Sequence, residues 1–314
     1  MANYLVTGGA GFIGSNIVEE LVKRGEKVRV IDSFITGKRE NLAPFMERIE
    51  LVEGDIRDRK ALDRALEGVD YVLHQAALRS VPKSVDDPFL TNDINVFGTL
   101  NLLMAARDHK VKRVVYASSS SAYGDVQKFP QRESDTTQPI SPYGVAKLAA
   151  EHYCYVFSKT FGLETVSLRY FNVFGPRQNP ESKYSAVIPA FLFEMMKGRS
   201  PVVEWDGKQS RDFTFVGNVV DANLNACVLP GISGEMFNVA CGTTTSVFDI
   251  VRALNKILGT SIRPEFAPKR AGDVRRTYAD ITKMKRGLKL KKIIHFDEGL
   301  RATVDWFRNS YSGA

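Results

Sequence analysis

The sequence predicts an α/β protein built around a doubly wound parallel sheet, with a smaller C-terminal α/β region packed against it. Strand-length apolar runs alternate with helical periods through the first half of the chain, the order that a parallel sheet covered on both faces requires. A glycine-rich turn, Gly8-Gly9-Ala10-Gly11-Phe12-Ile13-Gly14, separates the first run from the first helical period. From Asn172 onward the segments become shorter and are punctuated by Pro and Gly, with no low-complexity linker between the halves. The expected division is a first domain over 1–171 and a second region over 172–314, some of whose segments return to the sheet.

Each element has its own signal. Tyr4-Leu5-Val6-Thr7 reads as a short buried strand, and the amphipathic run after the glycines continues through Leu21 and Val22 to a stop at Gly25. Val28-Arg29-Val30-Ile31 is the next strand and ends in Asp32; Ile49-Glu50-Leu51-Val52-Glu53, Val69-Asp70-Tyr71-Val72-Leu73-His74, Val114-Val115-Tyr116-Ala117-Ser118 and Thr165-Val166-Ser167-Leu168-Arg169 follow, with helical periods between them. Residues 92–109 and 143–161 carry apolar side chains on more than one helical face, more than a helix covering one side of a sheet needs. Val187–Met196 reads as a helix broken by Pro189. Phe213-Thr214-Phe215-Val216, Met236-Phe237-Asn238-Val239 and His295-Phe296 read as parts of the sheet or its cap. There is no internal repeat.

The strand, glycine turn and helix at the N-terminus form a dinucleotide-binding fingerprint, so the fold expected is a Rossmann fold. Glycines let the backbone approach a pyrophosphate at a helix N-terminus, where free N–H groups and the positive dipole end favour an anion. Asp32 follows the glycines by about 20 residues, where a carboxylate accepts from both ribose hydroxyls and repels a 2′-phosphate. NAD is therefore favoured, while Lys38 and Arg39 nearby keep NADP open. Asp55 stands at one strand end, able to accept from an adenine amino group, and the small Ala76 and Ala77 at another leave room for the pyrophosphate.

A second constellation carries chemistry. The hydroxyl-rich stretch Ser118-Ser119-Ser120-Ser121-Ala122-Tyr123-Gly124 closes a strand, and Ser141-Pro142-Tyr143-Gly144-Val145-Ala146-Lys147 opens a helix. The Tyr-x-x-x-Lys spacing puts Tyr143 and Lys147 one turn apart on one face, where the ammonium can lower the phenol's pKa. A phenol acidified in this way can take a proton from an alcohol at neutral pH. His74 reads as a packed strand-end histidine rather than a catalyst.

Composition sets outer bounds. At 314 residues, 44% hydrophobic and 25% charged, the chain has ample core for one large domain and a smaller one. The formal charge of +7 is scattered and has no aromatic-basic motif beside it, so an anionic small molecule explains it at least as well as nucleic acid, which is not expected as a partner. No apolar run reaches the length of a membrane span, Met1-Ala2-Asn3 leads straight into a strand, and three cysteines without metal spacing suit a reducing compartment; no membrane association, no metal and a cytoplasmic location are expected.

Over nearly its whole length the chain resembles the extended short-chain dehydrogenase/reductases, specifically the nucleotide-sugar 4-epimerases. The residues that carry this are Thr7-Gly8-Gly9-Ala10-Gly11-Phe12-Ile13-Gly14, Gly54-Asp55-Ile56-Arg57-Asp58, His74-Gln75-Ala76-Ala77, Asn95-Val96-Phe97-Gly98-Thr99, the serine and Tyr-x-x-x-Lys stretches, 168–177, Ser210-Arg211-Asp212-Phe213 and Arg270-Ala271-Gly272-Asp273-Val274-Arg275. The resemblance implies that Tyr143 is the base, that Lys147 binds the nicotinamide ribose and acidifies Tyr143, and that Ser119 hydrogen-bonds the reacting sugar oxygen, with Ser120 and Ser121 beside it. It further implies NAD contacts from Gly8, Gly11, Phe12, Ile13, Gly14, Asp32, Gly37, Asp55, Ile56, Gln75, Ala76, Ala77 and Asn95. For a UDP-sugar it implies Arg211 and Arg270 on the diphosphate, Asp273 on the uridine ribose, Asn172 on phosphate or sugar, and Thr277 beside the C2 substituent. Thr277 leaves room for an N-acetyl group, and the run Arg177-Gln178-Asn179-Pro180 followed by Tyr184-Ser185-Ala186-Val187-Ile188-Pro189 resembles the subgroup preferring UDP-N-acetylglucosamine. Arg79 departs from the small residue expected of that subgroup; it would pair with a uronic acid carboxylate or point at the cofactor. Sister enzymes that dehydrate or decarboxylate carry acidic residues where this chain has Ser120 and Ser121. A reductase would share Ser119, Tyr143 and Lys147, and a noncatalytic NAD-binding role is the reading from a different class. The resemblance also implies a homodimer joined through a four-helix bundle.

Overall fold

A computed structural model describes residues 1–180, 186–269 and 274–311. In chain order the elements are β1 (Asn3–Thr7), α1 (Phe12–Lys23), β2 (Lys27–Asp32), β3 (Ile49–Glu53), α2 (Arg59–Leu66), β4 (Tyr71–His74), α3 (Val81–Asp86), α4 (Pro88–Asn92), α5 (Gly98–Asp108), β5 (Arg113–Ser119), α6 (Pro142–Thr160) and β6 (Glu164–Tyr170). Beyond these come β7 (Val173–Phe174), α7 (Val187–Met196), β8 (Val202–Glu204), β9 (Ser210–Arg211), β10 (Thr214–Phe215), α8 (Val216–Val228), β11 (Met236–Val239), β12 (Thr245–Ser246), α9 (Val247–Leu258), β13 (Glu265–Ala267), α10 (Thr282–Leu288) and α11 (Phe296–Tyr311).

Seven parallel strands form the main sheet in the order β11-β6-β5-β4-β1-β2-β3. Side chains alternate across it, so Leu5 and Val6 enter different cores. Val6, Val30 and Val115 pack under α1 (Ile17, Val18, Leu21) and α8 (Val219, Ala222, Leu224). Leu5, Ile31, Val72 and Val114 pack under α2, α5 and α6 through Leu62, Leu102, Leu103 and Phe157. Each such side chain, when fully buried, contributes about 1.5–3 kcal/mol. The strand order reverses between β1 and β4, and the crevice beyond the carboxyl ends of those strands is where sheets of this kind take ligands. A third core, with Phe174, Phe191, Leu192, Ile250, Leu254, Val304 and Phe307, joins α7, α9 and α11.

Three local readings change. Pro189 does not break α7, because it is the third residue of the helix, where the backbone N–H has no intrahelical partner to lose. His295-Phe296 is not sheet but the start of α11, with His295 O accepting from Gly299 N at 3.0 Å. The helix expected over 92–109 is divided: α4 ends at Asn92, a π-helical turn covers Asp93–Phe97, and α5 starts at Gly98. Among the described residues, no helix is long and apolar enough to cross a membrane.

Candidate active site

A cleft of about 500 Å³ opens at the strand-order reversal, within the usual range for small-molecule sites. Its walls include Gly8, Gly11, Phe12, Ile13 and Gly14 from the first turn, Asp32 and Gly37 from the end of β2, and Asp55, Ile56, Gln75, Ala76 and Ala77 from the next strand ends. Tyr143, Lys147 and Arg79 line it as well. Fifteen sequence positions expected to touch cofactor or substrate thus meet in one cavity.

The turn into α1 is tight for a physical reason. A Cβ on Gly14 would lie 2.2 Å from Gly8 O, so only glycine lets the helix start against the turn. No side chain caps α1, which leaves the N–H groups of its first turn facing the cleft, ready for an anion. Asp32 is held by Ala10 N (2.9 Å) and Phe34 N (2.8 Å); burial raises its pKa and these two donors oppose the rise. Asp55 is clamped by Arg57, through Nε at 3.0 Å and Nη2 at 2.7 Å, which lowers its pKa. An uncapped helix start and an oriented ribose acceptor fit an NAD pyrophosphate and adenosine ribose.

Asn95, expected on the cofactor, lies behind the wall instead. Its Oδ1 accepts from Leu78 N (2.8 Å) and its Nδ2 donates to Leu78 O (3.0 Å), so it shapes the loop that carries Ala76 to Arg79. His74 is wholly interior. Thr99 Oγ1 donates to Asn95 O, so it accepts from His74 Nε2 (2.9 Å), and Nδ1 accepts from Thr7 Oγ1 (2.7 Å). Burial lowers His74 to about 3, so the ring stays neutral and structural.

The serine turn and α6 meet at a close approach. A Cβ on Gly144 would lie 2.7 Å from Ser121 O, and glycine there brings the first turn of α6 against the end of β5. Ser119 Oγ accepts from Ser121 N (3.1 Å) and lies beside the Tyr143 phenol. Ser120 and Ser121 form the following 3₁₀ turn and stay partly exposed. Burial raises the Tyr143 pKa, while Ser119 and the charge of Arg79 pull it down. Lys147 donates to Ala117 O at 2.7 Å, and burial lowers its ammonium to about 7. Below the cleft, Glu151 accepts from Ser118 Oγ (2.7 Å) and from Arg169 Nε (2.9 Å) and Nη2 (2.6 Å).

The residues expected on the UDP-sugar form a separate group. Thr277 Oγ1 donates to Asn172 Oδ1 at 3.1 Å, and Thr277 N donates to Ser210 O at 3.2 Å, beside Arg211 on β9. Val187 opens α7 and packs on the third core. Arg270 and Asp273 lie outside the described residues. Sequence reasoning missed Lys83, Tyr170, Arg177 and Asn179, which also line the cleft. Tyr170 donates to Gln75 Oε1 (3.2 Å), tying β6 to the end of β4. A signal existed for Tyr170 and Arg177, which stand in the 168–177 motif; Lys83 is marked only by being one turn into the helix after Arg79.

Among the described residues no cluster of three His, Cys, Asp or Glu could hold a metal, and Cys154, Cys227 and Cys241 are buried and free.

The chain is similar to solved structures over nearly its full length. A UDP-N-acetylglucosamine 4-epimerase from Methanobrevibacter ruminantium, in complex with UDP-N-acetylmuramic acid, is 38% identical with a TM-score of 0.94, covering 98% of this chain and 99% of that one. A Thermus thermophilus UDP-glucose 4-epimerase in complex with NAD is 38% identical with a TM-score of 0.88, at the same coverage. A putative UDP-glucose 4-epimerase of Methanocaldococcus jannaschii is 38% identical over 309 residues, 98% of each chain. Residues 4–240 match the NAD dependent epimerase/dehydratase family. The chain therefore belongs to the NAD dependent epimerase/dehydratase family, and NAD is its cofactor.

Proposed function

We propose that the protein is a UDP-sugar 4-epimerase that interconverts UDP-N-acetylglucosamine and UDP-N-acetylgalactosamine, with UDP-glucose and UDP-galactose as further substrates. The observation that carries this reading is Tyr143 in the wall of the NAD cleft, near enough to Ser119 for that hydroxyl to lower its pKa, with Lys147 one turn away. Bound NAD supplies reversible hydride exchange at C4 of the sugar. Tyr143 takes the proton of the 4-hydroxyl as C4 is oxidised, and Ser119 holds the same oxygen. Lys147 orients the nicotinamide ribose. After the 4-keto sugar turns over about its diphosphate link, Tyr143 returns the proton and the configuration at C4 is inverted with no net redox change.

Ser120 and Ser121 argue against dehydration, because loss of water across C5 and C6 needs an acid and a base that hydroxyls replace poorly. The small Thr277 supports an N-acetylated sugar, and Asn172, Arg211, Arg270, Asp273 and Val187 are the remaining substrate contacts in this reading. The division at 171/172, with NAD held by the first part and the sugar nucleotide mainly by the second, is part of the same proposal. A homodimer completes it: α4 to α6 leave Phe89, Phe97, Tyr155 and Val156 exposed, and pairing of these helices across a twofold axis as a four-helix bundle would cover them. Tyr143→Phe tests the chemistry, since it keeps the ring and removes the proton acceptor. Turnover is expected to fall by about 10²–10⁴-fold with NAD and UDP-sugar binding kept; near-normal turnover would refute the assignment.

A further inference from the structure

Among the cations around Tyr143, the fold holds Lys147 and Arg79 differently. The Lys147 ammonium is engaged with Ala117 O and sits 6.0 Å from the Tyr143 ring centroid, nearer the Tyr116 ring at 4.9 Å. With a pKa lowered to about 7 by burial, it is only partly charged at neutral pH. Arg79 differs on both counts. A guanidinium keeps its proton in proteins, and among the described residues no carboxylate forms an ion pair with Arg79.

The loop that presents Arg79 is over-determined. Thr7 Oγ1 accepts from Ala76 N at 3.1 Å, and both ends of the Asn95 amide grip the backbone of Leu78. Ser80 follows at φ +121°, a conformation that non-glycine residues avoid at a cost of about 1–3 kcal/mol. Its Oγ accepts from Lys83 N and starts α3. Backbone strain of this kind persists only where the surroundings impose it. Here it leaves the Arg79 side chain in the same cleft wall as Tyr143. Arg79 reaches solvent through the cleft mouth, yet the protein around it is dense enough to weaken its hydration and lower its pKa. A charge in such surroundings acts more strongly on its neighbours than one in open water.

We propose that Arg79 is the cation that favours the anionic form of Tyr143 for proton transfer, acting through the phenol and not through the sugar. The inference rests on Tyr143 being the base. The groups that face the phenol are consistent with it. From β5 come Ser119 and Tyr116, from its own helix Lys147, and Lys83 of α3 lines the same cleft. On the β4 side His74 is neutral, and on the β6 side Tyr170 is bonded to Gln75 and Asn223. Glu151, one turn beyond Lys147, is neutralised by Arg169. Of these cations, Arg79 is the one whose field lowers the phenol, against the rise that burial imposes.

The test is an ultraviolet titration of tyrosinate in the NAD-loaded protein for wild type, Arg79→Gln and Arg79→Lys, with Tyr143→Phe subtracted to isolate one of the 11 tyrosines. Removing an opposite charge at close range is expected to move the Tyr143 step up by about one pH unit or more. Arg79→Lys should keep part of the effect. The limb of the kcat profile that reports the base should move with it, leaving about tenfold less turnover at neutral pH. A Tyr143 step unmoved in Arg79→Gln overturns the proposal. So does loss confined to UDP-glucuronic acid with neutral sugars unaffected, which assigns Arg79 to a substrate carboxylate. The titration needs no sugar, so a shifted phenol in a protein without epimerase activity would reject the proposed function and keep this inference.

Discussion

Replacing Glu151 by glutamine removes one charge from a pair that the fold has taken almost wholly out of water. Arg169 is 2% exposed and Glu151 5%, and the carboxylate accepts three hydrogen bonds, two from the guanidinium and one from Ser118. Arg169 stacks its guanidinium 4.7 Å from the Tyr123 ring centroid, and its Nη1 already has no hydrogen-bond partner. In Glu151→Gln the guanidinium stays charged with only neutral acceptors, a change that costs about 3–5 kcal/mol. At about 2.1 cal/mol/K per residue, unfolding 314 residues carries an entropy near 0.66 kcal/mol/K, so about 4 kcal/mol corresponds to a Tm drop of about 6 °C. Urea unfolding and calorimetry read the two quantities. The double variant Glu151→Leu/Arg169→Met removes both charges and should recover most of the loss, because replacing a buried pair by apolar side chains is often neutral. A single variant within about 1 kcal/mol of wild type, or a double variant worse than the single, would refute the reasoning. The pair also anchors Ser118 beside Ser119, so the double variant should regain stability while kcat stays below wild type.

Three other outcomes follow from the geometry. His74 titrates at about 3 in the fold against 6.5 in the unfolded chain, so the unfolded state binds more protons between those values and stability is lost as pH falls. Between pH 7.5 and 5 that amounts to about 2 kcal/mol; His74→Asn should flatten this part of the urea-unfolding profile, and an unchanged slope would contradict a neutral buried ring. Thr277→Tyr should abolish turnover of N-acetylhexosamine substrates and spare UDP-glucose, since a close-packed wall does not yield to an acetamide; equal loss on both would make Thr277 a structural position. Light scattering at micromolar concentration should give a dimer, and a monomer there would leave Phe89 and Phe97 without the expected cover.

Much of this was legible in the sequence because it is local. The β1 strand, the glycine turn, α1 and Asp32 fall within one stretch of chain and form one unit in space. Tyr143 and Lys147 are read from helical spacing, whereas the choice of Ser119 among four consecutive serines comes from the family resemblance. Pro189 lies in the first turn of α7, where the clash and lost hydrogen bond that exclude proline from helix interiors do not arise, and the local sequence does not show where that turn begins. His295 and Phe296 are too short a pair for periodicity to tell a strand from a helix start. The largest gaps are tertiary. Nothing local shows that Ser118, Glu151 and Arg169, on three different elements, share one carboxylate. Spacing placed Lys147 over the phenol, but Ala117 O holds the ammonium, and the second cation comes from a loop more than 60 residues earlier in the chain. The main-sheet position of β11 is also settled by pairing with β6, where Asn238 also receives a hydrogen bond from Tyr123.

The most direct test is to incubate the purified protein with UDP-N-acetylglucosamine, without added NAD, and to follow the sugar nucleotides to equilibrium by chromatography and the nicotinamide by absorbance. The expected result is UDP-N-acetylgalactosamine formed at the expense of the substrate, with no lasting NADH. Accumulated NADH, a 4-keto-6-deoxy product, or no C4 epimer from any UDP-hexose once NAD is supplied would contradict it.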